Sequence, residues 1–239
     1  MINYAHRGAS EYAPENTMSS FYLGLLQGAN GIETDVQRTK DGVLVLFHDD
    51  TLDRVTDASG SVSDYTLDEL KKIKVTGDCS TGFFDRIPTF EEFLAVFSQY
   101  NISFAIELKQ ADVEEDVIKM AKKYGITERM TVTSFNFDYL KRTKEIDSSI
   151  RIGWLVPNPG EEEIKKLKEI GGEEMAPEAK YTTEESVKMF REAGLGVRAW
   201  GIFGLYCRDM MKEMCRLGVD GMTVNFPDRL FQYLNATKF

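Results

Sequence analysis

Histidine is scarce in this chain: among 239 residues there are two, His6 and His48. Cysteine is nearly as rare. Cys79, Cys207 and Cys215 are odd in number and include no CxxC pair, which excludes a disulfide framework and a thiolate zinc site. They read as reduced thiols. No apolar run approaches the roughly 20 residues that a bilayer span requires. Positive charge is also in deficit, with 29 Lys+Arg against 39 Asp+Glu and a formal charge of −10. A protein that grips long polyanions by counterion release needs the opposite balance, so nucleic acid is excluded as a partner. Met1-Ile2-Asn3 leads straight into strand-like sequence, without the basic and apolar regions of a secretory signal, and the expectation is a cytoplasmic protein. A Gly-rich phosphate fingerprint after the first strand is missing too, which argues against an open dinucleotide-binding sheet.

What is present is a regular alternation. Strand-like segments are predicted at Ile2–Ala5, Gly31–Gln37, Ile102–Leu108, Met130–Thr133, Arg151–Leu155, Glu174–Ala176, Val197–Trp200 and Gly221–Val224. Helical periodicity follows each, at Met18–Gln27, Phe90–Tyr100, Val113–Tyr124, Phe137–Ile146, Glu161–Ile170, Glu184–Ala193, Cys207–Leu217 and Asp228–Leu234. Asn16 or Thr17 is the expected cap of the first helix. Eight consecutive βα units in a chain close to about 250 residues predict a (β/α)8 TIM barrel. Residues 50–88 interrupt the rhythm. They hold turn formers (Asp57-Ala58-Ser59-Gly60, Gly77, Gly82) and one short helix, Leu67–Ile73 capped by Thr66, and predict a small inserted subdomain after strand 2. The whole chain, 1–239, reads as one barrel domain carrying that insertion.

The stretch Gly31 to Asp49, GIETDVQRTKDGVLVLFHD, concentrates the chemistry. Asp-Gly between two strand-like runs signals a hairpin. With Asp41-Gly42 as a two-residue loop, Lys40 pairs with Val43 and Asp35 lies opposite His48. Glu33 and Asp35 share one face of their strand, and the pairing brings His48 onto it. An alternating Glu-Thr-Asp is also what the wet face of a strand looks like. Here, however, Val43 to Phe47 is apolar at every position, which predicts burial on both faces and leaves the carboxylates in need of partners.

Barrel chemistry sits at the C-terminal ends of the strands. There the chain places His6 and Arg7, Glu33 and Asp35 with His48, Glu107 and Lys109, Ser134-Phe135, Trp200, and Asn225. Both histidines fall at one mouth. Glu33, Asp35 and Glu107 offer oxygen ligands alone, the preference of Mg²⁺ or Ca²⁺. Arg7 and Lys109 can hold a phosphate, and two imidazoles can act as acid and base near neutral pH. A cation, two cationic side chains and a His pair describe phosphoryl chemistry.

His6-Arg7-Gly8, Pro14-Glu15-Asn16-Thr17, Glu33-Thr34-Asp35-Val36, Lys40-Asp41-Gly42, Phe47-His48-Asp49 and Glu107-Leu108-Lys109 together resemble the glycerophosphodiester phosphodiesterases. The resemblance covers nearly the whole chain, including the insertion, Ile87-Pro88-Thr89, Ser134-Phe135 and Trp200. It implies metal-dependent hydrolysis of a small-molecule glycerophosphodiester to sn-glycerol 3-phosphate and an alcohol. By motif position it implies His6 and His48 as the catalytic acid–base pair and Glu33, Asp35 and Glu107 as ligands of a divalent ion. Arg7 and Lys109 would bind phosphate, and Trp200 would line the substrate site. Two departures lie at the mouth. Asn225 stands where the family carries an acidic residue, and Gly201-Ile202-Phe203 replaces the usual Thr-Val-Asn. Competing expectations are a lysophospholipase D-like phosphodiesterase, which needs an apolar groove, and a non-catalytic barrel that binds phosphate metabolites.

Overall fold

The computed structural model describes residues 1–77 and 83–236. In chain order these form β1 (Ile2–His6), α1 (Met18–Leu26), β2 (Gly31–Arg38), β3 (Leu44–Leu46), α2 (Leu67–Leu70) and α3 (Phe90–Phe97). Strand and helix then alternate as β4 (Ser103–Leu108), α4 (Glu114–Lys123), β5 (Met130–Ser134), α5 (Phe137–Ile146), β6 (Arg151–Val156) and α6 (Glu161–Glu169). The chain ends with β7 (Glu174–Pro177), α7 (Glu184–Glu192), β8 (Gly196–Ile202), α8 (Cys207–Leu217), β9 (Gly221–Val224) and α9 (Pro227–Ala236). Apart from β3 the strands are parallel, and β1 pairs with both β2 and β9. The sheet is therefore a closed ring of eight strands with helices between them, the expected (β/α)8 barrel. No helix among the described residues is long and apolar enough to cross a membrane.

Local chemistry sets the helix ends. Thr17, Thr89 and Thr183 each accept a hydrogen bond from the backbone N–H three residues on, closing capping boxes at the starts of α1, α3 and α7. Acidic first turns and basic last turns in α4 and α6 complement the helix dipole. α2 is shorter than expected because after Lys71 the backbone bonds tighten to three-residue spacing, Lys72 to Glu69 and Ile73 to Leu70.

The hairpin differs from the sequence expectation by one residue. Thr39, not Lys40, pairs with Val43, and Lys40-Asp41-Gly42 forms a three-residue loop with Gly42 at φ 88°. A two-residue I′ turn requires positive φ at both central residues, and Asp41 does not adopt it. Asp35 consequently lies opposite Phe47, whose N–H donates to the Asp35 carbonyl at 3.1 Å, and Val36 pairs with Leu46.

The apolar run beyond the loop is buried on both faces, as expected, and serves two cores. Leu44 and Leu46 pack into the large cluster between barrel and helices. Val45 and Phe47 pack into a second cluster with Leu52, Val55, Val62 and Leu70 from residues 50–88. Phe83 and Phe84 lie outside that second core and are about half exposed, with Phe84 under the cations of Lys74 and Arg86. Cys207 and Cys215 are free thiols. Cys79 and Gly82 lie outside the described residues.

Candidate active site

The tight turn after β1 begins the site. Arg7 and Gly8 both take positive φ, 54° and 84°, which turns the Arg7 side chain back over the strand ends. A methyl group on Gly8 would come within 2.4 Å of Ser20 backbone and side-chain atoms. Gly8→Ala is therefore expected to cost about 2–3 kcal/mol in a urea melt, since both conformation and space are unavailable to alanine.

Asn16, offered by the sequence as a helix cap, does something else. Thr17 takes the capping role. The Asn16 amide is buried, donates to Asp35 Oδ2 at 2.8 Å, and accepts from the Thr34 hydroxyl at 2.7 Å. Arg7 donates from Nη1 to Glu15 Oε1 at 2.9 Å and places Nε 3.3 Å from Asp35 Oδ2. Its backbone N–H donates to Glu33 Oε2 at 3.1 Å. One turn and one helix start thus fix two adjacent carboxylates.

Glu33, Asp35 and Glu107 converge, each offering an oxygen within 4.8 Å of the others, and all three are buried. Parallel pairing explains the approach, because β2 and β4 place Asp35 directly beside Glu107. Burial, then repulsion from Asp35 and Glu107, pushes the Glu33 carboxyl well above the usual range. Burial and Asp35 push Glu107 up as well. Asp35 is held below its ordinary value: burial, the largest single influence, pushes it up, and the opposing effects of Arg7, His48, Lys109 and the Asn16 hydrogen bond together outweigh it. Asp35 Oδ1 has no hydrogen-bond partner among the described residues. An orphaned buried carboxylate oxygen within an all-oxygen trio that repels itself fits a hard divalent cation. Lys109 donates to Glu107 Oε1 at 2.9 Å, and burial notwithstanding, Glu107 and Asp35 raise its pKa.

The histidines flank the trio. His6 Nδ1 sits 2.6 Å from Asn225 Oδ1, and its Nε2 lies 3.9 Å from Glu33 Oε2. Enclosure in the mouth and then the Arg7 charge push His6 well below the usual histidine range. His48 Nδ1 lies 2.5 Å from Asp49 Oδ1. Arg54 clamps Asp49 through Nε at 2.6 Å and reaches Glu15 through Nη1 and Nη2. Each ring is thus held by Nδ1, with Nε2 left for other contacts.

His6, His48, Glu33, Glu107, Arg7 and Trp200 all line one cavity of about 150 Å³ at this mouth. Asp35 and Lys109 do not line it, and join the site through Arg7 and Glu107. The one-residue shift of the hairpin leaves His48 just past the ladder, still at the cavity. Trp200 is anchored by its Nε1–H to the Ala176 carbonyl at 2.8 Å and meets the Phe135 ring edge-on at 5.2 Å. Ser134 turns away from the cavity and donates to the Leu108 carbonyl. Sequence reasoning missed Glu15, Arg54 and Arg198. The lone charge in the otherwise apolar Val197-Arg198-Ala199-Trp200 was the available signal for the last of them.

The closed barrel, with its chemistry gathered at the C-terminal mouth around an acidic cluster able to hold a cation, defines a class of barrel enzymes that act on anionic substrates. Within that class, the model of the glycerophosphoryl diester phosphodiesterase family matches residues 6–229. The chain belongs to this family and is a phosphoric diester hydrolase. It is similar to the glycerophosphodiester phosphodiesterase of Caldanaerobacter subterraneus subsp. tengcongensis, at 33% identity over 234 residues covering 95% of this chain and 94% of that one. The corresponding protein of Bacillus altitudinis is 35% identical over 239 residues, 95% of each chain. Among solved structures, an Oleispira antarctica phosphodiesterase in complex with the product sn-glycerol-3-phosphate superposes with a TM-score of 0.84 at 25% identity, covering 98% of this chain and 97% of that one.

Proposed function

We propose that the protein hydrolyses glycerophosphodiesters to sn-glycerol 3-phosphate and an alcohol, using a divalent ion held by Glu33, Asp35 and Glu107. The observation that carries this reading is the meeting at one mouth of the carboxylate trio with both histidines and Arg7, of which all but Asp35 line a single cavity. A Mg²⁺ or Ca²⁺ bound there would supply positive charge to the phosphoryl oxygens. Arg7 and Lys109 bind and orient the phosphate, Arg7 from a turn that Glu15 and Asp35 hold in place. One imidazole Nε2 takes a proton from the attacking oxygen, either water directly or a neighbouring substrate hydroxyl whose cyclic product water then opens, and the other delivers a proton to the alcohol oxygen as its bond to phosphorus breaks. Asn225 and Asp49 orient the two rings for those tasks. Residues 50–88, read as an inserted subdomain, contribute Arg54 to the Asp49 clamp.

A second reading has one observation in its favour. Phe135, Leu155, Trp200, Ile202 and Phe203 give the cavity an apolar lining, with Phe135 and Phe203 exposed, which suits the single acyl chain of a lysophospholipid. One assay decides between them. Glycerol 3-phosphate release is measured from a panel of glycerophosphodiesters, in chelator and after Mg²⁺ or Ca²⁺ is restored. Release that depends on the ion is the expected result. Release of lysophosphatidate from lysophospholipids, with no turnover of the glycerophosphodiesters, would replace the first reading by the second. Binding without turnover of any diester would leave a non-catalytic barrel.

A further inference from the structure

Arg54 comes from residues 50–88 and does not line the cavity, yet it touches the supports of two groups that do. Its side chain is 40% exposed and bridges two carboxylates. Nη1 donates to Glu15 Oε2 at 2.9 Å, and Nη2 donates to Glu15 Oε1 at 2.7 Å. Nε donates to Asp49 Oδ2 at 2.6 Å, and Nη2 also reaches Asp49 Oδ1 at 3.0 Å. Beyond Asp49 stands His48. Beyond Glu15 stands Arg7, whose Nη1 bonds to the same Oε1 that Arg54 holds. One guanidinium therefore ties a histidine of the site to its arginine.

Glu15 decides how much of Arg7 is left for a substrate. An arginine facing a lone carboxylate commonly takes both oxygens in a fork and engages its donors and its charge there. Arg7 makes a single bond to Glu15, and its Nη2 makes no hydrogen bond among the described residues. The other Glu15 oxygen is already taken by Arg54. Glu15 is 15% exposed, so water does little to satisfy that oxygen in place of Arg54. Burial pushes the Glu15 carboxyl up, yet it is held below its ordinary value, with the Arg54 hydrogen bonds foremost among the opposing effects. Without Arg54, Glu15 becomes a half-paired, nearly enclosed anion beside Arg7, and its free oxygen captures a second Arg7 N–H.

We infer that Arg54 is a positioning residue with two arms, one keeping Glu15 from neutralising Arg7 and the other steadying Asp49 beside the His48 ring. This rests on the reading of Arg7 as a phosphate holder and of His48 as one of the acid–base pair. The arms act on different quantities. The Glu15 arm governs how tightly a phosphate is bound, and the Asp49 arm governs proton transfer once it is bound.

Calorimetric titration with sn-glycerol 3-phosphate in saturating Mg²⁺ or Ca²⁺ reads the first arm, and kcat for glycerol 3-phosphate release reads the second. Arg54→Gln is expected to weaken binding about tenfold and to lower kcat about tenfold, each the equivalent of one charge-assisted hydrogen bond. Adding Glu15→Gln removes the competing anion and still leaves an oxygen for Arg7 Nη1. The double variant is expected to recover most of the wild-type affinity, while kcat stays low because Asp49 has lost its clamp all the same. A merely structural role for Arg54 predicts the opposite, since a second lost partner loosens the turn further. If Arg54→Gln melts below the assay temperature, Arg54→Lys, which keeps the charge and loses the fork, takes its place in both variants. Unchanged affinity in the single variant, no recovery in the double, or a kcat that recovers along with affinity would overturn the inference. The expected affinities in a protein that releases no glycerol 3-phosphate from any diester would instead overturn the reaction and leave the Glu15 arm standing.

Discussion

His48→Ala is expected to lower kcat by about 10³-fold, with melting temperature and divalent-ion binding at wild-type values. Among the described residues the imidazole makes one side-chain bond, to Asp49, and it is 28% exposed, so its removal opens no core cavity. Arg54 still occupies Asp49 in the variant through its own two bonds. His6→Ala is expected to match it in kcat. Single-turnover kinetics beside thermal melts check both, and wild-type rates in either variant would remove that residue from the acid–base pair. The two losses should not add in the double variant, since on the proposed mechanism the histidines serve the same transition state.

The second large effect concerns Glu33, and its sign reverses with the ion. Without a cation, three carboxylates within 4.8 Å repel one another, and Glu33 is the one that burial and its neighbours disfavour most clearly as an anion. A carboxyl whose pKa is raised by folding destabilises the folded state at every pH above its unfolded value, neutral pH included, whichever form the folded state holds. Glu33→Gln keeps an oxygen to accept from the Arg7 N–H and removes the charge. In chelator it is expected to melt roughly 2–4 °C higher than wild type, the shift that about 1 kcal/mol produces in a chain of this size. With Mg²⁺ or Ca²⁺ added the order inverts. The wild type gains stability in proportion to its affinity for the ion, and the variant, one ligand short, gains little. Scanning calorimetry with and without the ion reads both halves. A variant that melts lower in chelator would refute the electrostatic account, and one that keeps the full ion-induced rise would remove Glu33 from the ligand set.

The barrel was legible in the sequence because periodicity alternates cleanly from Thr89 onward, and strand starts such as Met130, Arg151 and Gly221 agree with the structure. The mouth was legible because barrel topology assigns chemistry to strand ends whatever the details of each loop. Finer geometry was not. The choice between a two- and a three-residue loop turned on whether Asp41 adopts positive φ, which a DG dipeptide alone does not decide. Asn16 looked like a cap because Asn and Thr are interchangeable there by propensity, and only the arrival of Asp35 from another strand settles which is used. Arg198 and Glu174 are 24 positions apart, and their contact depends on the register of β7 against β8. Nor does hydrophobicity tell which apolar residues of 50–88 are buried: Leu52, Val55, Val62 and Leu70 fill the small core, while Phe83 and Phe84 stay about half exposed.

The alternation of Leu44, Val45, Leu46 and Phe47 between two apolar clusters has a consequence for how the enzyme would fail. The same four-residue approach that delivers His48 is gripped on one side by the large core and on the other by the small one. Loss of the small core would release Phe47 and the Arg54–Asp49 clamp together and set His48 adrift, while eight closed strands still held Glu33, Asp35, Glu107 and His6. Local opening costs least where the fewest apolar contacts must break. Catalysis therefore has a lower ceiling of temperature and denaturant than the barrel itself. On the proposed role of His48, the modest cluster beneath residues 50–88 acts as a fuse for activity, leaving behind a closed barrel with its carboxylate trio in place and no turnover when it blows.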